Sequence, residues 1–184
     1  MEDFIKEARS FAYNETERTC MPVRPHIDLA TEMGKKIAKD LGANVDIVEA
    51  GTLLMDCQIG QALKEGNLKS HAQMSASEAK KILDKYNINE EVKNNIISCI
   101  LEHHGGVKFS SLESEVVCNA DCYRFISVKG FMFAVRYLRD MSFDDLVKIL
   151  NEKVEEKWNV LTLDSVKKDL APQHNIIKSF LSHL

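Results

Sequence analysis

Asp56 lies in the stretch Ile47–Gly60, IVEAGTLLMDCQIG, where an apolar helical pattern of about two turns runs into this carboxylate. An acid at the end of a buried helix costs desolvation free energy unless it is paired or coordinated. Matching donors stand at wide intervals: His26, His71, His103, His104 and Asp121. Neutral imidazole and carboxylate together suit Fe, Mn or Zn or, with fewer imidazoles, Mg. A divalent ion on such ligands activates water near neutral pH and offsets charge on phosphate oxygens.

Side chains spread along a chain reach one point only if rigid elements aim them, and the apolar periodicity supplies helices for this. Phe4, Ile5, Ala8, Phe11 and Ala12 give a first helix over 2–12, followed by a polar loop, Asn14 to Pro25. Pro25 suits a helix start with His26 in its first turn, and Leu29, Ala30, Met33, Ile37, Ala38 and Leu41 form a stripe ending at Gly42. Asp46 with Glu49 reads as a capping box for a third helix. That helix is apolar nearly all round, so it belongs at the centre of the fold. Residues 57–70 read as a surface excursion delivering His71, with Ser75 and Glu78 capping the next helix. From Asn89, Val92, Ile96, Cys99 and Ile100 lead to His103, with His104 on the adjacent row and Gly105-Gly106 ending the helix. Ser110 with Glu113 caps another, on which Val117, Ala120, Asp121 and Arg124 recur at spacings of three and four. A segment 131–138, a long helix capped by Ser142 through Leu146, Leu150, Val154 and Trp158, and a terminal segment broken by Pro172 complete the chain. There is no strand pattern and no repeat. The expected class is all-α, a compact bundle-like domain.

In chain order, His26, Met55-Asp56, His71, His103-His104 and Asp121 resemble the HD-domain metal-dependent phosphohydrolase superfamily, whose mark is His, His-Asp, His, His, Asp. The resemblance spans residues 20–130 and departs at two points: Met55 stands where the His of the His-Asp pair would be, and the lysine common in the family shortly after that pair is not evident in Cys57-Gln58-Ile59-Gly60-Gln61. It implies an HD-like helical bundle. It further implies one divalent ion on His26, Asp56 and Asp121, and a second ion or the substrate phosphate on His71 and His103-His104. Asp56 would be the bridging, catalytic carboxylate. The activity implied is hydrolysis of a small phosphate ester or nucleotide by a metal-bound hydroxide, with one or two ions of Fe, Mn, Zn or Mg. Met55 motivates a rival reading, a degenerate HD domain that binds metal, nucleotide or a protein partner without turnover, because a thioether is a soft, weak ligand for such ions.

Each residue also has a plainer reading. His26 could cap its helix, Asp56 could accept from the backbone of 57–70, and Met55 could fill core. His71 could lie at the surface, and His103-His104 could sit solvated at a helix C-terminus. Asp121 could form an exposed ion pair with Arg124, and Glu113 needs no role beyond its capping box. His174 and His183 fall outside the pattern and read as surface.

The 184 residues suit one domain over 1–184, with the motif-bearing core at 20–130 and helices from 131 to 184 packed on it. A net charge of −4 with both signs interspersed leaves no basic face for duplex nucleic acid. Five cysteines without a C-x-x-C pair, and an acidic Met-Glu-Asp-Phe start, suggest reduced thiols and a cytoplasmic location. Cys118 and Cys122, four apart, read as small buried hydrophobes. No apolar run reaches membrane-spanning length. The helix from Ser142 to Trp158 could cover the core or form a homodimer face.

Overall fold

The structure is a computed structural model and describes residues 1–137 and 141–184. Helices follow one another as α1 (Glu2–Thr19), α2 (Arg24–Leu41), α3 (Val45–Leu54), α4 (Ile59–Lys64), α5 (His71–Leu83), α6 (Glu90–Glu102), α7 (Leu112–Ile126), α8 (Val128–Tyr137), α9 (Phe143–Asn159) and α10 (Asp164–Leu181). No strand occurs among the described residues, so the fold is all-α as the periodicity predicts. No described helix is long and apolar enough to cross a membrane. Leu138, expected to end the 131–138 segment, lies outside the described residues.

Two helices form the centre. Every residue of α3 from Ile47 to Leu54 is buried, as its all-round apolar pattern requires. The other is α7, which packs against α2, α3, α6, α8, α9 and α10 and buries Val116 to Arg124 without a break. One connected set of buried apolar side chains runs from Phe4 in α1 to Leu181 in α10. On α9 the buried residues are Leu150, Val154 and Lys157, so one face of that helix covers the core and carries a lysine into it.

Several boundaries differ from the sequence reading, each for a local reason. The first helix continues through the expected loop to Thr19, because Thr16 and Thr19 donate their hydroxyls to the carbonyls of Ala12 and Glu15 and so remain satisfied within a helix. Asn44 caps α3 instead of Asp46, accepting from the amides of Asp46 and Ile47. Ser111 caps α7 instead of Ser110, and Glu113 accepts from the Asn44 amide, tying the starts of α3 and α7 together. Ser75 lies inside α5 with its hydroxyl on the Gln58 amide. Pro172 does not break α10. It is exposed, and the carbonyl it leaves without a partner belongs to exposed Lys168, where water can serve. His174 is buried, its ring stacked on Trp158 at 4.2 Å, contrary to the surface reading.

Candidate metal centre

Helix α3 ends at Leu54, and Met55 and Asp56 follow in a buried turn. The turn is fixed from two sides: the Ile59 amide donates to the Asp56 carbonyl at 2.9 Å, and the Gln58 amide donates to Ser75 Oγ at 3.1 Å. Its position is thereby set relative to α5, whose first residue is His71. The Asp56 side chain points inward rather than to the backbone of 57–70.

The two carboxylate oxygens of Asp56 face different neighbours. Oδ1 lies 3.1 Å from Nε2 of His71 and 3.3 Å from Nε2 of His103. Oδ2 accepts from Nη1 of Arg124 at 2.5 Å. Arg124 Nη1 also donates to Oδ1 of Asp121 at 2.6 Å, and Oδ2 of Asp121 lies 2.6 Å from Nζ of Lys157. Asp56, Asp121, Arg124 and Lys157 are all buried, so two carboxylates and two cations pair off in the core, with Glu156 Oε1 3.4 Å from Lys157 at the outer end.

The histidines form the other side. His71 and His103 donate their Nδ1–H groups to the carbonyls of Leu68 and Ile100, each at 2.7 Å. In the neutral rings this fixes the tautomer and leaves the Nε2 lone pairs aimed at Asp56 Oδ1, the arrangement in which imidazoles ligate metal. His104 completes the group, its Nε2 2.9 Å from that of His71. The ligating atoms of His71, His103 and His104 lie within 4.8 Å of one another. His104 opens to solvent with 41% of its side chain exposed, while His103 has no exposure.

His26 stands apart from both halves. Its Nε2–H donates to the Gly130 carbonyl at 3.0 Å, and the ring packs edge-on against Phe125. It joins the start of α2 to α8 and caps neither.

The charges follow the geometry. Burial opposes ionisation of Asp56, but Arg124, and then His103 and His71, outweigh it and hold the carboxyl well below its ordinary range. Asp121 is held down against burial by Lys157 and Arg124. Burial works against both cations too, yet Asp121 holds Lys157 up, and Asp121 and Asp56 hold Arg124 up. For His71, burial favours the neutral ring but Asp56 prevails and raises it. Burial, then His103 and Lys157, push His104 down to about 3. Burial and Arg124 push His26 down to about 4.

Whether these residues fit a divalent ion can be judged separately on each side of Asp56. Asp56 Oδ1 and His103 Nε2 are buried without a hydrogen-bond partner, although 3.3 Å apart. Two acceptors so placed call for a cation or proton between them, and His71 and His104 bring further nitrogens to the same point, so a metal fits there. Between Asp56 Oδ2 and Asp121 it does not fit. Arg124 Nη1 already lies there, His26 commits its Nε2–H elsewhere, and Met55 offers only a thioether. Of the residues singled out in the sequence, the structure therefore gathers Asp56, His71, His103 and His104, places Asp121 behind Arg124, and leaves His26 at the side.

The sequence reading anticipated the pairing of Asp121 with Arg124 but as an exposed one, and Lys157 was missed. Its signal was present: Leu150, Val154 and Lys157 lie on one helical stripe, and a lysine on an apolar stripe needs a buried anion.

No family model matches the chain. Ribonuclease Y of Treponema denticola is 33% identical over 85 residues, which is 46% of this chain and 15% of that protein. A predicted HD superfamily hydrolase of an uncultured Thermotogales bacterium superposes with TM-score 0.72 at 14% identity, covering 97% of this chain and 89% of its own. An HD-superfamily hydrolase of Bacillus thuringiensis does so with TM-score 0.67 at 17% identity, covering 99% and 95%. Bacillus subtilis YpgQ, solved in complex with ADP, does so with TM-score 0.67 at 20% identity, covering 98% and 93%. The chain has the fold of the HD superfamily hydrolases.

Proposed function

We propose that this protein is a metal-dependent phosphohydrolase acting on a small phosphate ester or nucleotide, with the ion held by His71, His103, His104 and Asp56. The observation that carries the reading is the convergence of three imidazoles, two of them within 3.3 Å of Asp56 Oδ1, with the Nδ1–H groups of His71 and His103 committed to backbone carbonyls. The ADP bound to YpgQ favours a nucleotide as the phosphate compound.

When bound, a divalent ion supplies the Lewis acidity that activates water and offsets charge on the phosphoryl group. The chain's own residues do the rest. Asp56, kept ionised by Arg124, would hold the ion through Oδ1 while its other oxygen is pinned by the guanidinium. The carbonyls of Leu68 and Ile100 fix the rings of His71 and His103. His104, neutral near pH 7 and partly exposed, is the imidazole through which the group meets solvent.

The test is hydrolysis of nucleoside mono-, di- and triphosphates and of bis(p-nitrophenyl) phosphate by the purified protein with Mn, Fe(II), Co, Zn or Mg. Turnover that disappears in both Asp56→Asn and His103→Ala is the expected result. Turnover that survives in both variants, or none with any metal, overturns it.

One observation favours a second reading. The ion pairs of Arg124 and Lys157 with Asp121 and Asp56 occupy half of the constellation, as in a domain that binds a metal or nucleotide without turnover. ADP binding measured by calorimetry in a protein that hydrolyses nothing would favour it.

A further inference from the structure

We propose that Arg124 is a built-in cation replacing one metal ion, so that the protein binds a single divalent ion, on the histidine side of Asp56. The inference rests on the metal-site reading above and concerns how many ions that site takes.

Asp56 Oδ2 and Asp121 Oδ1 both lie within 2.6 Å of one guanidinium nitrogen. Two buried carboxylates facing one point repel each other unless positive charge lies between them. An arginine recognising a carboxylate ordinarily uses its planar fork, two nitrogens on two oxygens. Here a single nitrogen bridges two separate carboxylates, and Nε of the same guanidinium is buried with no hydrogen-bond partner. Arg124 thus acts as a point charge at the midpoint of a carboxylate pair, the position that a bridging cation would take.

Charge counting leads to the same place. Asp56 and Asp121 contribute two negative charges, and Arg124 and Lys157 offset both without leaving the core. A dication between Asp56 and Asp121 would have to displace Arg124 and leave its guanidinium unpaired in the interior, where an unpaired charge is strongly disfavoured. On the other side of Asp56 the donors are imidazole nitrogens, Oδ1 lacks a partner, and an entering ion has at most a proton to displace, not a guanidinium. Met55 agrees with a single ion, because it is a buried core residue whose thioether is a weak ligand for a hard dication.

The experiment is metal stoichiometry by elemental analysis after loading with Mn(II) and gel filtration, paired with thermal unfolding with and without Mn(II). One equivalent is expected for the natural protein and for Arg124→Lys, which keeps the charge. Two equivalents are expected for Arg124→Gln combined with Met55→His, whose midpoint should rise with Mn(II) by more than that of the natural protein. If the variant folds only with Mn(II), that dependence is itself the expected result. His103→Ala should lose the natural protein's single equivalent. Two equivalents in the natural protein, or one that persists in His103→Ala, would overturn the inference while leaving a metal site in place. No increase in equivalents or in Mn(II) stabilisation on removing Arg124 would overturn it as well. No metal in any form of the protein would overturn the metal-site reading itself, and this inference with it.

Discussion

Nε2 of His71 and Nε2 of His104 face each other at 2.9 Å. Both are acceptors in the tautomers that ligate metal, so without an ion a proton must lie between them. His71 is its natural bearer, since Asp56 raises this ring while His104 is pushed down to about 3.

Metal uptake should therefore release a proton. Below the raised value of His71 the entering ion displaces it, and affinity should fall by about tenfold per pH unit as the solution is acidified through that range. Mn(II) titration calorimetry in two buffers of different ionisation enthalpy measures the proton directly. Identical heats in both would show that His71 carries none.

The chain of ion pairs should be costly to cut and cheap to remove whole. Asp121→Asn leaves Lys157 buried opposite an uncharged amide and should cost about 3–5 kcal/mol in urea unfolding. Adding Lys157→Met should recover at least half of that. A single substitution costing less than about 1 kcal/mol, in the range of an exposed pair, would mean that Lys157 reaches water.

Why some of this was readable in the sequence and some was not follows from what each residue reports. The helices were legible because the apolar stripes of Leu29 to Leu41 and Val92 to Ile100 repeat with the helical period and end at Gly42 and Gly105. The histidines were legible as a set through their order along the chain. The starts of α3 and α7 were read one or two residues off, because Asn44 competes with Asp46, and Ser111 with Ser110, as caps of equal chemical merit. What periodicity could not give was the partner of each charge. Arg124 lies three residues from Asp121 whether that face is wet or dry, and only the packing of other helices around α7 decides that the pair is buried. His26 was similarly undetermined, since the Gly130 carbonyl that takes its proton is 104 residues away.

Stability of the metal-free protein should fall with acid in a defined window. His26 has a folded value of about 4 against an ordinary 6.5, so the unfolded chain binds the proton more readily between these values. The contribution is full above 6.5 and declines as pH falls towards 4, by about 3 kcal/mol in all. Asp56 and Asp121, both depressed, extend the loss below their ordinary 3.8. His71 is raised and acts oppositely, its contribution being present below 6.5 and lost as pH rises through its folded value. Urea unfolding at pH 7, 5.5 and 4.5 measures the slope, and His26→Gln should flatten its upper part. An unchanged slope in that variant would place the titration elsewhere.

Gly51→Ala should disturb the site from behind. A Cβ there would meet Cys99 Cβ at 2.8 Å and Val117 Cγ2 at 3.0 Å, where α3 presses on α6 and α7. The helix-propensity gain of about 1 kcal/mol should be outweighed by overpacking of about 1–3 kcal/mol. The lost stability should appear in thermal unfolding together with weaker metal binding, because the contact spaces Asp56 from His103. A variant as stable as the natural protein would show that these helices can separate freely.

The stack of Trp158 on His174 has a practical side. The chain contains one tryptophan, and it is the immediate neighbour of Lys157, whose ammonium ends on Asp121. Its indole lies parallel to an imidazole at 4.2 Å, close enough for a charged ring to quench its emission. All the intrinsic indole fluorescence thus arises one peptide bond from the buried ion pairs, and a movement of Lys157 can be followed in solution as a change in light, with no label attached.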